Sequence, residues 1–94
     1  MSRLEDLTLL AAVVETGSFS RAAARLGTTQ PRVSRAVARL EAQLGLVLVR
    51  RSPRRVAPTH AGRRLARTTQ RVLAELAEVE AELVGGGGMV GPLS

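Results

Sequence analysis

Apolar residues recur at helical spacing from the start of the chain. Leu4, Leu7, either Leu10 or Ala11, and Val14 fall on one face of a helix. Gly17 follows them, as a glycine follows the end of many helices. The first segment therefore predicts an amphipathic helix that buries this face.

Two shorter helical segments follow, and a glycine ends each of them. Ser18 is placed to cap the first, which Gly27 ends, and Thr29 is placed to cap the second, which Gly45 ends. Pro31 falls in the first turn of the second helix, where its missing N–H costs no intrahelical hydrogen bond. The buried positions predicted for the two helices are Phe19, Ala22, Ala23, Leu26, Val33, Val37, Leu40 and Leu44.

The pattern then becomes extended. Residues 46–49 form a short β-prone run, Pro53 suits the second position of a turn, and Val56 begins a return strand that Pro58 keeps short. We therefore predict a two-stranded hairpin. The arginines at or beside its tip are Arg50, Arg51, Arg54 and Arg55.

Thr59 is placed to cap the longest periodic segment, a helix predicted from about His60 to Leu83. Positions spaced by 4, 3, 4, 3 and 4 residues form a heptad seam with one polar member. The seam consists of Leu65, Thr69, Val72, Leu76, Val79 and Leu83, with Leu73 beside it. Such a helix is longer than so small a core can cover, so we predict that it pairs with the same helix of a second copy of the chain. Packing on its own domain is the alternative.

Composition narrows the class of protein. The chain has 94 residues, enough for one small domain, and no cysteine for a disulfide or a thiolate metal site. The apolar run at residues 7–14 is too short to span a bilayer, so we predict a cytoplasmic protein without membrane contact. His60 is the one histidine and has no partner ligand, and Ser34 has no nearby histidine base. Neither an enzyme nor a cofactor is predicted.

The arginines are concentrated in one part of the chain. Residues 17–71 hold 13 of the 14 arginines and a single carboxylate, Glu41, which gives this stretch a net charge of +12. Residues 72–94 hold four glutamates and no arginine. This asymmetry favours a polyanionic partner, nucleic acid above all, over a basic surface that only keeps the protein soluble.

The second and third predicted helices, joined through Gly27, have the arrangement of a helix-turn-helix. Glutamine can pair with adenine and arginine with guanine, hydroxyls suit phosphate oxygens, and the ring of Pro31 suits a thymine methyl. The hairpin suits a wing whose arginines reach the minor groove. The predicted DNA contacts are Thr28, Thr29, Gln30, Pro31, Arg32, Ser34, Arg35, Arg39, Arg51, Arg54 and Arg55, with Arg21 and Arg25 as further phosphate contacts.

The sequence also resembles a known family. The run "GSFSRAAARLGTTQPRVSRAVARLEAQLGLVLVRR", followed by "RRVAPTHAG", resembles the N-terminal domain of LysR-type transcriptional regulators over about residues 3–84. The resemblance implies a mainly α fold: a winged helix-turn-helix of three helices and a two-stranded β-wing, followed by a long linker helix that pairs in an antiparallel or crossed dimer. It also implies sequence-specific binding of double-stranded DNA at an interrupted palindrome.

Position by position, the resemblance carries the groove-reading residues onto Gln30, Pro31, Ser34 and Arg35, and the wing arginine onto Arg54. The family usually has a small residue in place of Arg32. Its usual phenylalanine is replaced by Val49, and a common glycine and an apolar residue by Pro53 and Pro58. The smaller Val49 implies a smaller core beneath the wing.

The resemblance also implies the organisation of the protein. Residues 1–58 are expected to form the DNA-binding domain, residues 59–84 the dimerisation helix, and residues 85–94 a flexible glycine-rich hinge that leads to an effector-binding domain beyond this chain. That domain would bind a small-molecule effector, and the full-length protein could form dimers or tetramers. The alternative is a protein-interaction module that has lost DNA binding, which the retained basic residues disfavour.

Overall fold

The computed structural model describes residues 2–52 and 55–90, with side chains as far as residue 85. Its elements in chain order are α1 (Arg3–Thr16), α2 (Phe19–Leu26), α3 (Gln30–Leu44), β1 (Val49–Arg51), β2 (Val56–Pro58) and α4 (His60–Val90). The predicted fold class is confirmed, with three helices, a two-stranded hairpin and a long final helix.

Local chemistry defines where the helices begin and end. The hydroxyls of Ser18, Thr29 and Thr59 each accept the backbone N–H three residues further on, at 3.1–3.3 Å, as predicted. The glycines after α1, α2 and α3 adopt left-handed φ values of 65–70°, which cost glycine no steric strain. The sequence analysis missed the capping box of α1, in which Ser2 and Glu5 bond each other's backbone N–H.

The core is aliphatic and centred on α1 and α3. Its largest fully buried side chains are Leu10, Val13, Val33, Val37, Leu40 and Leu48. The face predicted for α1 was partly wrong, because Leu4 is exposed whereas Val13 is buried. This helix packs against α2, α3 and α4 at once, so it buries a wider face than a single stripe. Leu26 and Leu44 were also predicted to be buried but lie exposed, each in the last position of its helix.

The hairpin is shorter than the β-prone run suggested. The strands pair antiparallel with Val49 opposite Pro58, while Leu46 and Val47 precede the ladder and are half exposed. The Glu41 carboxylate of α3 accepts the backbone N–H groups of Leu48 and Val49, at 2.8 and 3.2 Å. Because these donors bond a side chain of α3, the start of the hairpin is held against that helix.

Helix α4 runs from His60 to Val90, further than the predicted end near Leu83. The predicted hinge overlaps its last turns, since residues 85–90 are helical. None of the glycines at residues 85–88 adopts the left-handed conformation that ended α1 to α3, so no such cap ends α4 there. Residues 91–94, the rest of the predicted hinge, lie outside the described residues.

The first turns of α4 lie directly on the chain that leads into β1. Gly62 is buried beside the Leu48 carbonyl, and a Cβ there would come within 3.0 Å of the carbonyl carbon and closer to its oxygen. That oxygen also accepts the backbone N–H of Thr59 at 2.9 Å. Only glycine allows this approach.

None of the helices in the described ranges is long and apolar enough to cross a bilayer.

Candidate nucleic-acid interface

One face of α3 points away from the core. Pro31, Arg35, Ala38 and Ala42 share this face at spacings of 4, 3 and 4 residues, and all four are exposed. The opposite face carries the buried core residues of α3. The outward face therefore has one long cationic side chain near its leading end and only small side chains behind it.

The leading end of α3 adjoins the wing. Gln30, the first residue of α3, lines a cleft of about 370 Å³ together with Arg51, Ser52 and Arg55 of the hairpin. The N-terminal side of α2 closes this cleft with Ser18, Phe19 and Ser20, among others. The described lining contains two arginines and no carboxylate. The structure thus brings together predicted DNA-binding residues from α3 and from the wing.

Phe19, the one aromatic residue of the chain, lies beneath this cleft. The Arg51 guanidinium stacks over its ring, with Cζ 4.0 Å from the ring centroid. The ring is 5% exposed, so it belongs to the core while its face supports a cation at the surface. Both residues lie where the sequence pattern predicted them, in the core and on the hairpin, but this contact was not predicted.

Arg39 was predicted to contact DNA, and in the structure its guanidinium pairs with Asp6. Nε and NH2 donate to the two carboxylate oxygens at 3.0 and 2.9 Å. Asp6 is 2% exposed, so the pair fastens α3 to α1. The hydrogen bonds to Asp6 raise the pKa of Arg39 above its ordinary value, against the opposing effect of burial. Arg39 stands seven residues after Arg32, on the flank of α3 that meets α1.

Arg25 also has an intramolecular carboxylate partner. Its guanidinium forms an ion pair with Glu15, and Glu15 also accepts a hydrogen bond from the Gln70 amide. This group ties α1 to α2 and α4. The predicted phosphate contact of Arg25 would have to compete with Glu15. Arg21 is exposed on α2.

The remaining predicted contacts lie near the leading end of α3 or on the wing. Arg35 and Arg32 are exposed, Thr28 and Ser34 are half-buried, and the Thr29 hydroxyl is occupied as the helix cap. Arg54 lies outside the described residues.

The structural role of Glu41 was not predicted, since the sequence pattern showed it only as the single carboxylate of the basic stretch. Its isolation among so many arginines was the one signal that could have identified it as the anchor of the wing.

The predicted dimerisation residues divide into two groups. Val72, Leu76, Val79 and Leu83 are 40–67% exposed along one stripe. Leu65 is partly buried against the core, and Leu73 is half-buried in a groove that also borders α1. Thr69 was predicted to be the polar member of the seam, yet it is 4% exposed, because the first half of α4 packs against α1.

Among the residues that the structure describes, no three His, Asp or Glu side chains cluster in a way that could hold a metal ion. The cleft between α3 and the wing presents guanidinium, amide and hydroxyl groups.

Comparison with known proteins identifies the family. Residues 4–63 match the family model described as bacterial regulatory helix-turn-helix protein, lysR family. The chain is 45% identical over 80 residues to the HTH-type transcriptional regulator CrgA of Neisseria meningitidis, an alignment that covers 85% of this chain and 27% of CrgA. The chain therefore spans about a quarter of that curated relative.

Solved structures of similar fold include two protein–DNA complexes. The BenM_DBD/catB site 1 DNA complex superposes with a TM-score of 0.78 at 33% identity, covering 86% of this chain and 89% of that chain. The CbnR_DBD–DNA complex gives a TM-score of 0.76 at 35% identity, covering 94% and 99%. The family model, over residues 4–63, covers more than half of the chain. The chain therefore belongs to the LysR family of bacterial regulatory helix-turn-helix proteins.

Proposed function

We propose that this chain is the sequence-specific double-stranded DNA-binding part of a transcriptional regulator. The observation that carries the proposal is the shared cleft in which Gln30, at the start of α3, lies beside Arg51 and Arg55 of the wing. An amide suited to reading a base and two cations suited to binding phosphate thus occupy adjacent positions on one surface. The BenM_DBD and CbnR_DBD structures, solved as DNA complexes, have the same fold.

The shape of α3 suits the major groove. That groove is about 12 Å wide and admits one helix, which is itself about 10–12 Å across with its side chains. Ala38 and Ala42 keep the outward face of α3 narrow along its second half. The leading end can therefore go deepest, where Arg35 and Gln30 would meet base edges.

The wing carries the electrostatic part of the proposed interface. Arg51 and Arg55 are exposed, and no described residue forms a salt bridge with either. Arg54, predicted as the minor-groove arginine, belongs to the same hairpin by sequence. Guanidinium groups on a narrow hairpin suit the strong negative potential of a narrow minor groove. Base reading by α3 and minor-groove contact by the wing would then come from one rigid unit.

A second copy of the chain is the proposed partner of α4. The exposed stripe of Val72, Leu76, Val79 and Leu83 is apolar and runs along the part of the helix that projects past the core. Arg64 and Arg71 precede the stripe on one flank of α4, and Glu75, Glu78 and Glu82 follow them on the same flank. In an antiparallel pair like flanks face each other, so the basic part of each helix would meet the acidic part of its partner.

A twofold pair of this kind would present two recognition helices to successive major grooves, and hence an interrupted palindrome as its site. In the full-length regulator, an effector-binding domain would follow α4 and bind the small molecule that modulates activity. Such a regulator could form dimers or tetramers and would work in the cytoplasm.

DNA binding is tested most directly by its salt dependence. We expect the affinity for an operator selected from random duplex DNA to fall linearly with salt on a log–log scale, with a slope of about −0.9 for each phosphate neutralised. Electrophoretic mobility shifts or fluorescence anisotropy between 50 and 200 mM salt, about the range used for such slopes, would measure it. No binding at low salt, or a slope near zero, would contradict the proposal.

Arg35→Ala is expected to weaken operator binding by about 1–3 kcal/mol and to relax the preference at one base pair, because a guanidinium that bonds guanine discriminates among bases. The measurement is the affinity of wild type and variant for operators changed at each position in turn. Arg67→Ala, on the solvent side of α4, is the control and should keep the preference intact. Uniform weakening over all operators would reassign Arg35 to a phosphate.

A further inference from the structure

The arginines around the proposed DNA surface differ in what their guanidinium groups already bind. Arg39 donates to Asp6 through Nε and NH2, and Arg25 pairs with Glu15 through NH1. Arg51 is held in a different way, by the face of its guanidinium against the Phe19 ring. No described residue accepts a hydrogen bond from its side chain or pairs with its charge.

Stacking leaves the binding capacity of a guanidinium intact. The N–H bonds lie in the plane of the group, whereas the ring contacts only its face, so the in-plane donors remain available for a bidentate acceptor. The ring also limits the rotamers of a long side chain that would otherwise lose entropy when it is ordered on binding. Phe19 thus holds Arg51 in one orientation without occupying any of its N–H donors.

The cleft around Arg51 has the chemistry of an anion site. Arg55 adds a second cation, and the hydroxyls of Ser20 and Ser52 and the amide of Gln30 add polar groups. The described lining is free of carboxylates, so nothing there neutralises the two arginines. The cleft also separates the recognition helix from the wing, and a DNA strand that passes between a major-groove helix and a minor-groove wing must cross this gap.

On this basis we propose that Arg51 clamps one backbone phosphate of the bound DNA strand in this cleft, and that Phe19 is a positioning residue that orients Arg51 for it. The proposal rests on the proposed function and adds to it a specific phosphate site. It assigns to the single aromatic side chain a role in binding, besides its role in the core.

The test is a double-mutant cycle on operator affinity with the full 94-residue chain. Arg51→Gln is expected to weaken binding by about tenfold or more, the usual loss for a charged hydrogen-bonding group, and to lower the salt slope by about one phosphate. Arg50→Gln is the matched control. It is the neighbouring exposed arginine, it points to the other face of the hairpin and it does not line the cleft. It should change affinity by less.

Phe19→Leu keeps an apolar side chain in the core but removes the ring, and Phe19→Tyr keeps the ring. We expect Phe19→Leu to weaken binding by about three- to fivefold in the wild-type background and to have no further effect once Arg51 is glutamine. Phe19→Tyr should bind like wild type. All affinities are measured well below the melting temperature of the least stable variant, so that loss of fold does not enter the comparison.

A residue with only a structural role would give a different result. Equal losses from Phe19→Leu in both backgrounds would overturn the positioning role, and an unchanged affinity of Arg51→Gln would overturn the clamp. If Phe19→Leu does not fold, Arg51→Lys takes its place, since an ammonium keeps the charge but cannot bind bidentately. Wild-type affinity in Arg51→Lys would then overturn the proposal. A wild-type chain that binds no DNA would overturn the proposed function itself, and the clamp with it.

Discussion

Gly62→Ala is expected to destabilise the domain by about 3 kcal/mol or more, because the added methyl group overpacks a backbone contact. The new Cβ would lie within 3.0 Å of the Leu48 carbonyl carbon and closer to its oxygen. That carbonyl also accepts the Thr59 N–H and hydroxyl at 2.9 and 3.2 Å. Neither backbone can move away without breaking the bonds that begin α4 and support the wing.

Such a loss would be a large share of the stability of a small domain, which totals only about 5–15 kcal/mol. Urea denaturation followed by circular dichroism would measure it. Gly85→Ala is the matched control. It makes the same substitution in the same helix where nothing lies within 4 Å, so it should stabilise the helix by about 0.5–1 kcal/mol. Equal midpoints for Gly62→Ala and wild type would show that the contact is not as close as described.

Leu76→Glu is expected to dissociate the proposed dimer and to weaken binding to a full operator about a hundredfold or more. Leu76 is 44% exposed in the middle of the apolar stripe, and in a twofold pair the substitution would place a buried charge on both helices. Loss of pairing removes the high effective concentration of the second DNA-binding unit, commonly worth 10²–10⁴ in avidity. The affinity for a single half-site should stay unchanged.

Sedimentation equilibrium measures the mass, and anisotropy with full and half operators measures the two affinities. Ala81→Glu is the control, since it adds the same charge to the same helix on the face opposite the stripe. It should leave both the mass and the operator affinity unchanged. A Leu76→Glu chain that sediments like wild type would rule out the stripe as the dimer interface.

Most parts of the fold that depend on neighbouring residues were predicted from the sequence, with the capping box of Ser2 and Glu5 as the exception. The caps at Ser18, Thr29 and Thr59 act over three residues, and a glycine ends a helix through its own backbone conformation. Helix order, the hairpin and its arginines follow from periodicity and turn chemistry over short windows. The end of α4 differs from the prediction because the glycines at residues 85–88 do not take the left-handed conformation that ends α1 to α3, and composition alone does not fix that conformation.

Thus the sequence by itself determined the order of the elements, the charge on each of them and the family to which they belong, because these depend on residue types and short spacings. Only the tertiary structure decided which arginines remain available for a ligand. Arg39 meets Asp6 across 33 residues of sequence, and Arg51 meets Phe19 across 32. A guanidinium can bond a carboxylate, stack on an aromatic ring or keep its donors available for a phosphate. Which of these occurs depends on the group that the fold brings within about 4 Å of it.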